Sequence, residues 1–137
     1  MSDYRRFLPE GIPAAHMPFW ESLKEHAVQV QRCDRCATFR YIPKDICPKC
    51  HSDLASWTAI SGRGEVYTYT IVRRAPTPAY QEDVPYVLAH VTMEEGFRMA
   101  ARLTGTDSER VRIGMPVQIA YEDVTPEWTL FIFQPVG

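Results

Sequence analysis

Residues 31–51 read QRCDRCATFRYIPKDICPKCH and contain all four cysteines of the chain. The cysteines form two Cys-x-x-Cys pairs, Cys33 with Cys36 and Cys47 with Cys50, separated by residues 37–46. Two such pairs place four thiolates at the corners of a tetrahedron, which is the arrangement that structural Zn²⁺ prefers. Because all four ligands are sulfur, no coordination position is left for water, and we interpret the metal as structural rather than catalytic.

Two disulfides or four free thiols are the alternatives for these cysteines. The N-terminal segment MSDYRRFLPEGIP carries charges but no apolar core of a secretion signal, so we expect a cytoplasmic protein. In that reducing compartment thiolates stay available to a metal, which favours zinc over both alternatives. His51 directly follows Cys50, and since four ligands are already present we expect it to be an exposed loop residue.

The composition limits both the architecture and the partners. A chain of 137 residues has room for one compact domain and a small metal-stapled module. No apolar run approaches the roughly 18 residues of a membrane span. A net charge of −2 argues against a protein whose main task is to neutralise a nucleic-acid backbone. We therefore expect neither a membrane nor a nucleic acid as the main partner.

The chain divides by pattern into three segments. Residues 1–30 are predicted to form an extended arm and an amphipathic helix, because Phe19, Trp20, Leu23 and Ala27 recur at helical spacing over 19–28. Residues 31–60 form the predicted zinc ribbon, in which 54–60 is a bridging segment. Residues 61–137 are predicted to be a β domain that begins with a turn at SGRG, residues 61–64.

The β domain shows five strand patterns. Three strands come first, followed by a short helix or turn at 106–109, where TDSE has the form of a capping box, and then by two more strands. The predicted strands are 65–73, 86–93, 97–104, a segment around 117–121, and 129–134. This order is typical of an OB-fold, a five-stranded Greek-key barrel. The predicted fold is therefore mainly β: an N-terminal helix, a four-cysteine zinc ribbon and an OB-fold barrel.

Six separated motifs resemble those of the DUF35 family. They are the FW pair at 19–20, QRCDRC, ICPKC, SGRGEVYTYTIV, PYVLAHVTMEEG and RIGMPV. The resemblance runs over about residues 19–133. Two departures occur, at Ala37, where many members carry glycine, and at 42–44, where Pro-Pro-Arg is common. Neither departure affects a cysteine, so the zinc prediction is unchanged.

The resemblance implies a function that composition alone does not. Members of the family are similar to small, non-catalytic accessory subunits of thiolase-superfamily acyl-CoA C-acyltransferases or thiolases, active in β-ketoacyl-CoA metabolism with aromatic, steroid or other bulky acyl groups. The implied ligand is a coenzyme A thioester, and the implied assembly is a hetero-oligomer of two plus two subunits. The thiolase-like partner would supply the nucleophilic cysteine, while this chain would supply docking surface and part of an acyl-CoA channel.

The residues agree with a non-catalytic role. All cysteines are assigned to metal, and His90, in a predicted strand among apolar neighbours, is interpreted as a core residue. For coenzyme A, Arg73 and Arg74 beside the proline-rich loop are the phosphate candidates. The candidate apolar wall consists of Phe19, Trp20, Tyr67 and Tyr69. The alternative is that these aromatic residues are core and the arginines solvated.

Two other classes of function remain open at this point. OB-folds and zinc ribbons commonly bind single-stranded nucleic acid, and Tyr67, Tyr69 and the strand arginines would serve as a stacking platform. A free-standing acyl-CoA hydrolase or carrier is the other class. The lack of a recognisable nucleophile and base in the sequence argues against it.

Overall fold

In the computed structural model, which describes residues 8–136, the chain folds into two compact units. One unit is Pro9–Ser61, and the other consists mainly of the chain from Gly62 onward. The first seven residues of the predicted arm lie outside the described residues. Within the described part of the chain, no helix has the length and apolar character needed to cross a lipid bilayer.

The first unit begins with a short helix. A 3-10 turn at Ala14–His16 leads into helix α1, Met17–Lys24, with a proline in its first turn. The helix ends earlier than the predicted 19–28 because His26 adopts a left-handed conformation with φ of 56°. The N–H of Ala27 then donates to the carbonyl of Ser22 at 3.1 Å, which is the pairing of a Schellman motif.

A three-stranded antiparallel sheet follows the helix. Its strands are β1, Gln29–Cys33; β2, Phe39–Arg40; and β3, Ala55–Ala59, in the order β2-β1-β3. The segment predicted only as a bridge is therefore a strand, because it pairs along β1, with Gln31 opposite Trp57. The apolar interior of the unit comes mainly from α1, from β1 and from the residue just before β1, namely Phe19, Leu23, Val28 and Val30.

The second unit is a closed five-stranded barrel. Its strands are β4, Arg63–Val72; β5, Tyr86–Met93; β6, Arg98–Leu103; β7, Pro116–Asp123; and β8, Thr129–Pro135. The order around the barrel is β4-β5-β6-β8-β7, in which every neighbouring pair is antiparallel except β6 with β8. A 3-10 turn at Ser108–Arg110 stands where the short helix or turn was predicted. The prediction of a mainly β chain with an OB-like barrel is confirmed.

Alternation along β5 separates the barrel interior from the outer face. Val87, Ala89, Val91 and Met93 are buried. The intervening Leu88 and His90 are exposed. The interpretation of His90 as a core residue was wrong, because the apolar neighbours at the odd positions, and not the histidine, fill the barrel.

The turn before β4 is shorter than predicted. Gly62 has a φ of 78°, as the turn requires, but Arg63 and Gly64 already belong to β4. Gly64 is needed there for a different reason. A Cβ at this position would lie 2.7 Å from Cγ1 of Val91 and would clash with the carbonyl oxygen of Thr92. The glycine therefore allows close strand packing rather than a turn.

Candidate metal centre and ligand-binding residues

The two Cys-x-x-Cys segments fold into two matching knuckles. In the first, the N–H of Cys33 donates to the carbonyl of Thr38 at 2.8 Å and the N–H of Ala37 donates to the carbonyl of Cys33 at 3.0 Å. In the second, the N–H of Cys47 donates to the carbonyl of Ser52 at 2.8 Å, and the N–H of His51 donates to the carbonyl of Cys47 at 3.0 Å. Ala37 and His51, which directly follow the second cysteine of each pair, are left-handed with φ of 67° and 65°. The backbone thus presents both cysteine pairs in the same way.

The four sulfurs are close enough to bind one ion. All four Sγ atoms lie within 4.8 Å of one another, with 3.5 Å between Cys33 and Cys50 and 3.6 Å between Cys36 and Cys47. A tetrahedral zinc with Zn–S bonds of about 2.3 Å requires S···S separations of about 3.8 Å. None of the four cysteines is in a disulfide. The residues therefore fit a structural zinc.

The local electrostatics also suit a cation. The backbone N–H of Cys36 lowers the pKa of Cys33 to about 6, and the backbone N–H of Cys50 lowers the pKa of Cys47, which favours the thiolate that binds metal. At Cys50 the backbone N–H of Ser52 lowers the pKa, but burial and the three neighbouring thiols outweigh it and raise the pKa to about 11. Four mutually repelling thiolates are stabilised together only when a cation lies between them.

A buried arginine beside the cysteines was missed by the sequence analysis. Arg40, in β2, is 2% exposed and donates hydrogen bonds to the backbone carbonyls of Lys44, Ser52 and Leu54. It is one of several arginines in or near the ribbon, such as Arg32 and Arg35, which are exposed. The sequence carries no signal that distinguishes Arg40 from these two.

The candidate acyl-CoA residues of the first unit lie on α1. Phe19 is 3% exposed, and its ring packs edge-on against Trp20 at 5.3 Å and Tyr41 at 5.7 Å between centroids. Burial raises the pKa of Tyr41 to about 12. Trp20 is half-buried. Phe19 therefore contributes to the interior of this unit, while Trp20 keeps an accessible edge.

The two tyrosines of β4 lie on opposite faces of their strand. Simple alternation would place Tyr67 and Tyr69 together, but the register shifts between Val66 and Thr68. Tyr67 is half exposed, and the guanidinium of Arg98 lies 3.7 Å from its ring centroid on the outer face. Tyr69 pairs with Ala89, which is fully buried, and so points toward the barrel interior. The structure does not bring these two tyrosines together on one surface.

The two candidate phosphate-binding arginines are exposed directly after β4. Arg73 and Arg74 open the loop to β5, and Val72, the last residue of β4, pairs with Tyr86. At the same end of the sheet, Arg102 lies 4.7 Å from the ring centroid of Tyr86 and bonds to Asp83 of the loop at 3.2 Å. Arg102 is thus a further cation near Arg73 and Arg74. It was missed because strand pairing in the folded barrel brings it there, and its position in the sequence does not show this.

Two family models match the chain. The model of the ChsH2 rubredoxin-like zinc ribbon domain matches residues 20–55, and that of the ChsH2 C-terminal OB-fold domain matches residues 57–122. A probable enoyl-CoA hydratase alpha subunit from Thermomonospora curvata is 37% identical over 118 residues, which are 85% of this chain. The chain spans only 36% of the length of that relative.

Two further relatives correspond to the chain over most of their own length. A DUF35 domain-containing scaffold protein from Methanocaldococcus jannaschii is 34% identical over 107 residues, covering 77% of this chain and 75% of that protein. A solved structure of the Ltp2-ChsH2(DUF35) aldolase superposes with a TM-score of 0.82 at 34% identity, covering 91% of this chain and 97% of the matched chain. The matched ribbon and the four clustered cysteines support a structural zinc. The chain belongs to the DUF35 family, as its motifs indicated.

Proposed function

We propose that this chain is a non-catalytic accessory subunit of an enzyme that acts on acyl-CoA thioesters, and that its partner is a thiolase-like subunit. The observation that carries the proposal is the structural match to one chain of the Ltp2-ChsH2(DUF35) aldolase. The match covers 97% of the length of that chain. The similarity to a protein named as a scaffold and to an enoyl-CoA hydratase subunit supports the same class.

The chemistry of the chain supports a division of labour. Its only four cysteines lie together in the ribbon, so zinc binding leaves no thiolate to act as a nucleophile. The partner would supply the nucleophile and the bases, while this chain would supply a docking surface and part of the acyl-CoA site. A bulky β-ketoacyl group and a two-plus-two assembly are the finer parts of the proposal.

The first test is the identity of the partner. Tagged full-length protein, incubated with lysate of its source organism, should retain a thiolase-like enzyme in near-equal amount, identified by mass spectrometry. Mass measurement of the purified complex by light scattering should then give two copies of each chain. A protein carrying the same tag on an unrelated barrel serves as the control. Retention of nucleic-acid-processing proteins, or of no partner, would contradict the proposal.

A second test concerns the coenzyme A phosphates. Replacing both Arg73 and Arg74 by alanine should weaken binding of the acyl-CoA to the complex severalfold, by about 1–3 kcal/mol, because two charge-assisted contacts are lost. The matched control is the double replacement of Arg110 and Arg112, which are also exposed arginines of the barrel unit. Equal affinities of the two double variants would show that the effect is not specific to the proposed site.

One observation favours a second candidate function, the binding of single-stranded nucleic acid. The outer face of β4–β6 carries the stacked pair of Arg98 and Tyr67, which is the kind of platform on which bases stack. The net charge of −2 argues against it. Retardation of a single-stranded oligonucleotide at moderate salt, lost on Tyr67→Ala, would favour this function over the subunit role.

A further inference from the structure

The ribbon buries the positive charge of Arg40. Arg40 is 2% exposed, yet among residues 8–136 no Asp or Glu oxygen lies within 4.0 Å of its guanidinium. Its terminal nitrogens donate to backbone carbonyls at 2.8 to 3.3 Å, whereas its Nε has no partner within the same residues. A buried cation is costly unless opposite charge or dipoles surround it, so its retention calls for a specific role.

The acceptors of Arg40 lie on both sides of the second knuckle. Nη1 donates to the carbonyl of Lys44, before the Cys47–Cys50 pair, at 3.3 Å. Nη2 donates to the carbonyl of Ser52, after the pair, at 2.8 Å. The Ser52 carbonyl also accepts the N–H of Cys47, which is the bond that closes the knuckle. One guanidinium therefore holds the beginning and the end of the second knuckle together.

The same guanidinium reaches the first knuckle through a shared acceptor. Nη2 also donates to the carbonyl of Leu54 at 3.1 Å, and that carbonyl accepts the N–H of Asp34, between Cys33 and Cys36, at 3.1 Å. In contrast, the Thr38 carbonyl, which closes the first knuckle, receives no side-chain donor from any residue in the described range. Arg40 thus supports the two knuckles unequally, binding the second directly and the first through Leu54.

We propose that Arg40 is a positioning residue for the metal centre. By fixing the ends of the second knuckle it sets Cys47 and Cys50 at the separation from the first pair that one tetrahedral ion requires. Four thiolates around Zn²⁺ carry a net charge of about −2, and the buried guanidinium offsets part of it. The role is independent of which partner the chain binds.

Zinc affinity is the first readout. In competition with a chromophoric chelator, the full chain carrying Arg40→Met should bind Zn²⁺ about 10–100-fold more weakly than the parent, as found for residues that orient metal ligands. The matched control is Arg35→Met, which removes the same charge from an exposed residue between Cys33 and Cys36. Its affinity should stay within about threefold of the parent. Equal losses in both variants, or no loss in Arg40→Met, would overturn the proposal.

Amide hydrogen exchange separates positioning from general packing. In the zinc-loaded Arg40→Met protein, the Cys47 amide should exchange about tenfold or more faster, while the Cys33 amide stays within about twofold of the parent. Arg40→Lys keeps the charge and most of the aliphatic side chain, but it lacks the two separate nitrogens that donate to carbonyls on either side of the second knuckle. It should show the same selective loss, and it provides the test if the methionine variant does not fold. Equal acceleration at both cysteines, or none, would overturn the proposal.

Discussion

The two compact units of the chain exclude water from their interiors by different means. In the barrel, apolar side chains of all five strands, of which Val66, Val91, Met99, Val117 and Phe133 are examples, are almost completely buried. In the ribbon unit, the large buried aliphatic and aromatic side chains come from α1, from Val28 and from the start of β1. Beyond these, the buried residues are Cys33, Arg40, Pro43, Cys47 and Ser52. The barrel has a hydrophobic core, whereas the two knuckles are built around cysteine sulfurs and a buried arginine.

This difference determines what each unit needs in order to fold. Burial of apolar area contributes about 25 cal/mol per Å², so a barrel closed by hydrogen bonds around such a core supports itself. A segment of a few dozen residues without such a core requires a cross-link, a metal or a partner. The stability of the knuckles should therefore depend on zinc, and that of the barrel should not.

Loss of zinc gives the largest expected effect. Removal of the ion by a chelator, or replacement of one ligand by Cys36→Ser, should unfold the knuckles, because structural zinc contributes about 10–16 kcal/mol of apparent binding free energy in small finger peptides. Cys36 is exposed, so the shorter serine side chain leaves no cavity and the effect reports the ligand alone. Hydrogen exchange should show loss of protection at the Cys33 and Cys47 amides, with protection in β5 retained.

Arg35→Met, at the neighbouring exposed position, is the control for that experiment and should leave metal content unchanged. If the Cys36→Ser protein kept both its zinc and the protection of its knuckles, the dependence on metal would be refuted. If β5 lost protection together with the knuckles, the two units would share one cooperative transition rather than differ as described.

The predictions that agree with the structure are those that rest on a regular pattern in the sequence. Cysteine spacing predicted the cluster of four sulfurs, and the number and order of the strand patterns predicted the barrel. The end of α1 was not predictable in this way, because the apolar spacing continues through Ala27 while His26 turns the chain. β3 was missed because its strand character comes from pairing with β1, which is a property of the fold and not of its own five residues.

The candidate site was predictable only where residue type and spacing indicate the chemistry. Two Cys-x-x-Cys pairs indicate a metal site, but the sequence does not distinguish a buried arginine from an exposed one, so Arg40 was missed. The bulge in β4 inserts one residue into the alternation and separates Tyr67 from Tyr69, which no period-two pattern shows. The acyl-CoA residues therefore stay a prediction, with Tyr67 rather than Tyr69 on the outer face.

The next largest effect concerns the barrel core. Phe133, in β8, is fully buried, and Phe133→Ala should lower the free energy of unfolding of the barrel by about 3–5 kcal/mol, because both the ring and its contacts are lost. Leu88→Ala, on the outer face of β5, should cost less than about 1 kcal/mol. Denaturant unfolding of the zinc-loaded protein measures both values. Zinc affinity should be unchanged in both variants, and a loss in Phe133→Ala would contradict separate sources of stability.

The smallest expected effect lies within the ribbon, at the two left-handed residues that make its knuckles alike. An alanine in the left-handed conformation lowers the stability of the folded state by about 1–2 kcal/mol. Glycine avoids this strain but loses more backbone entropy on folding, so replacement by glycine restores only part of that free energy. Ala37→Gly should therefore tighten zinc binding about two- to fivefold, by about 0.5–1 kcal/mol. Histidine tolerates the left-handed region better than alanine, so His51→Gly should gain less, although its φ of 65° is nearly that of Ala37. Chelator competition measures both affinities. A larger gain at His51 than at Ala37 would mean that side-chain contacts, and not backbone conformation, limit the stability of the knuckles.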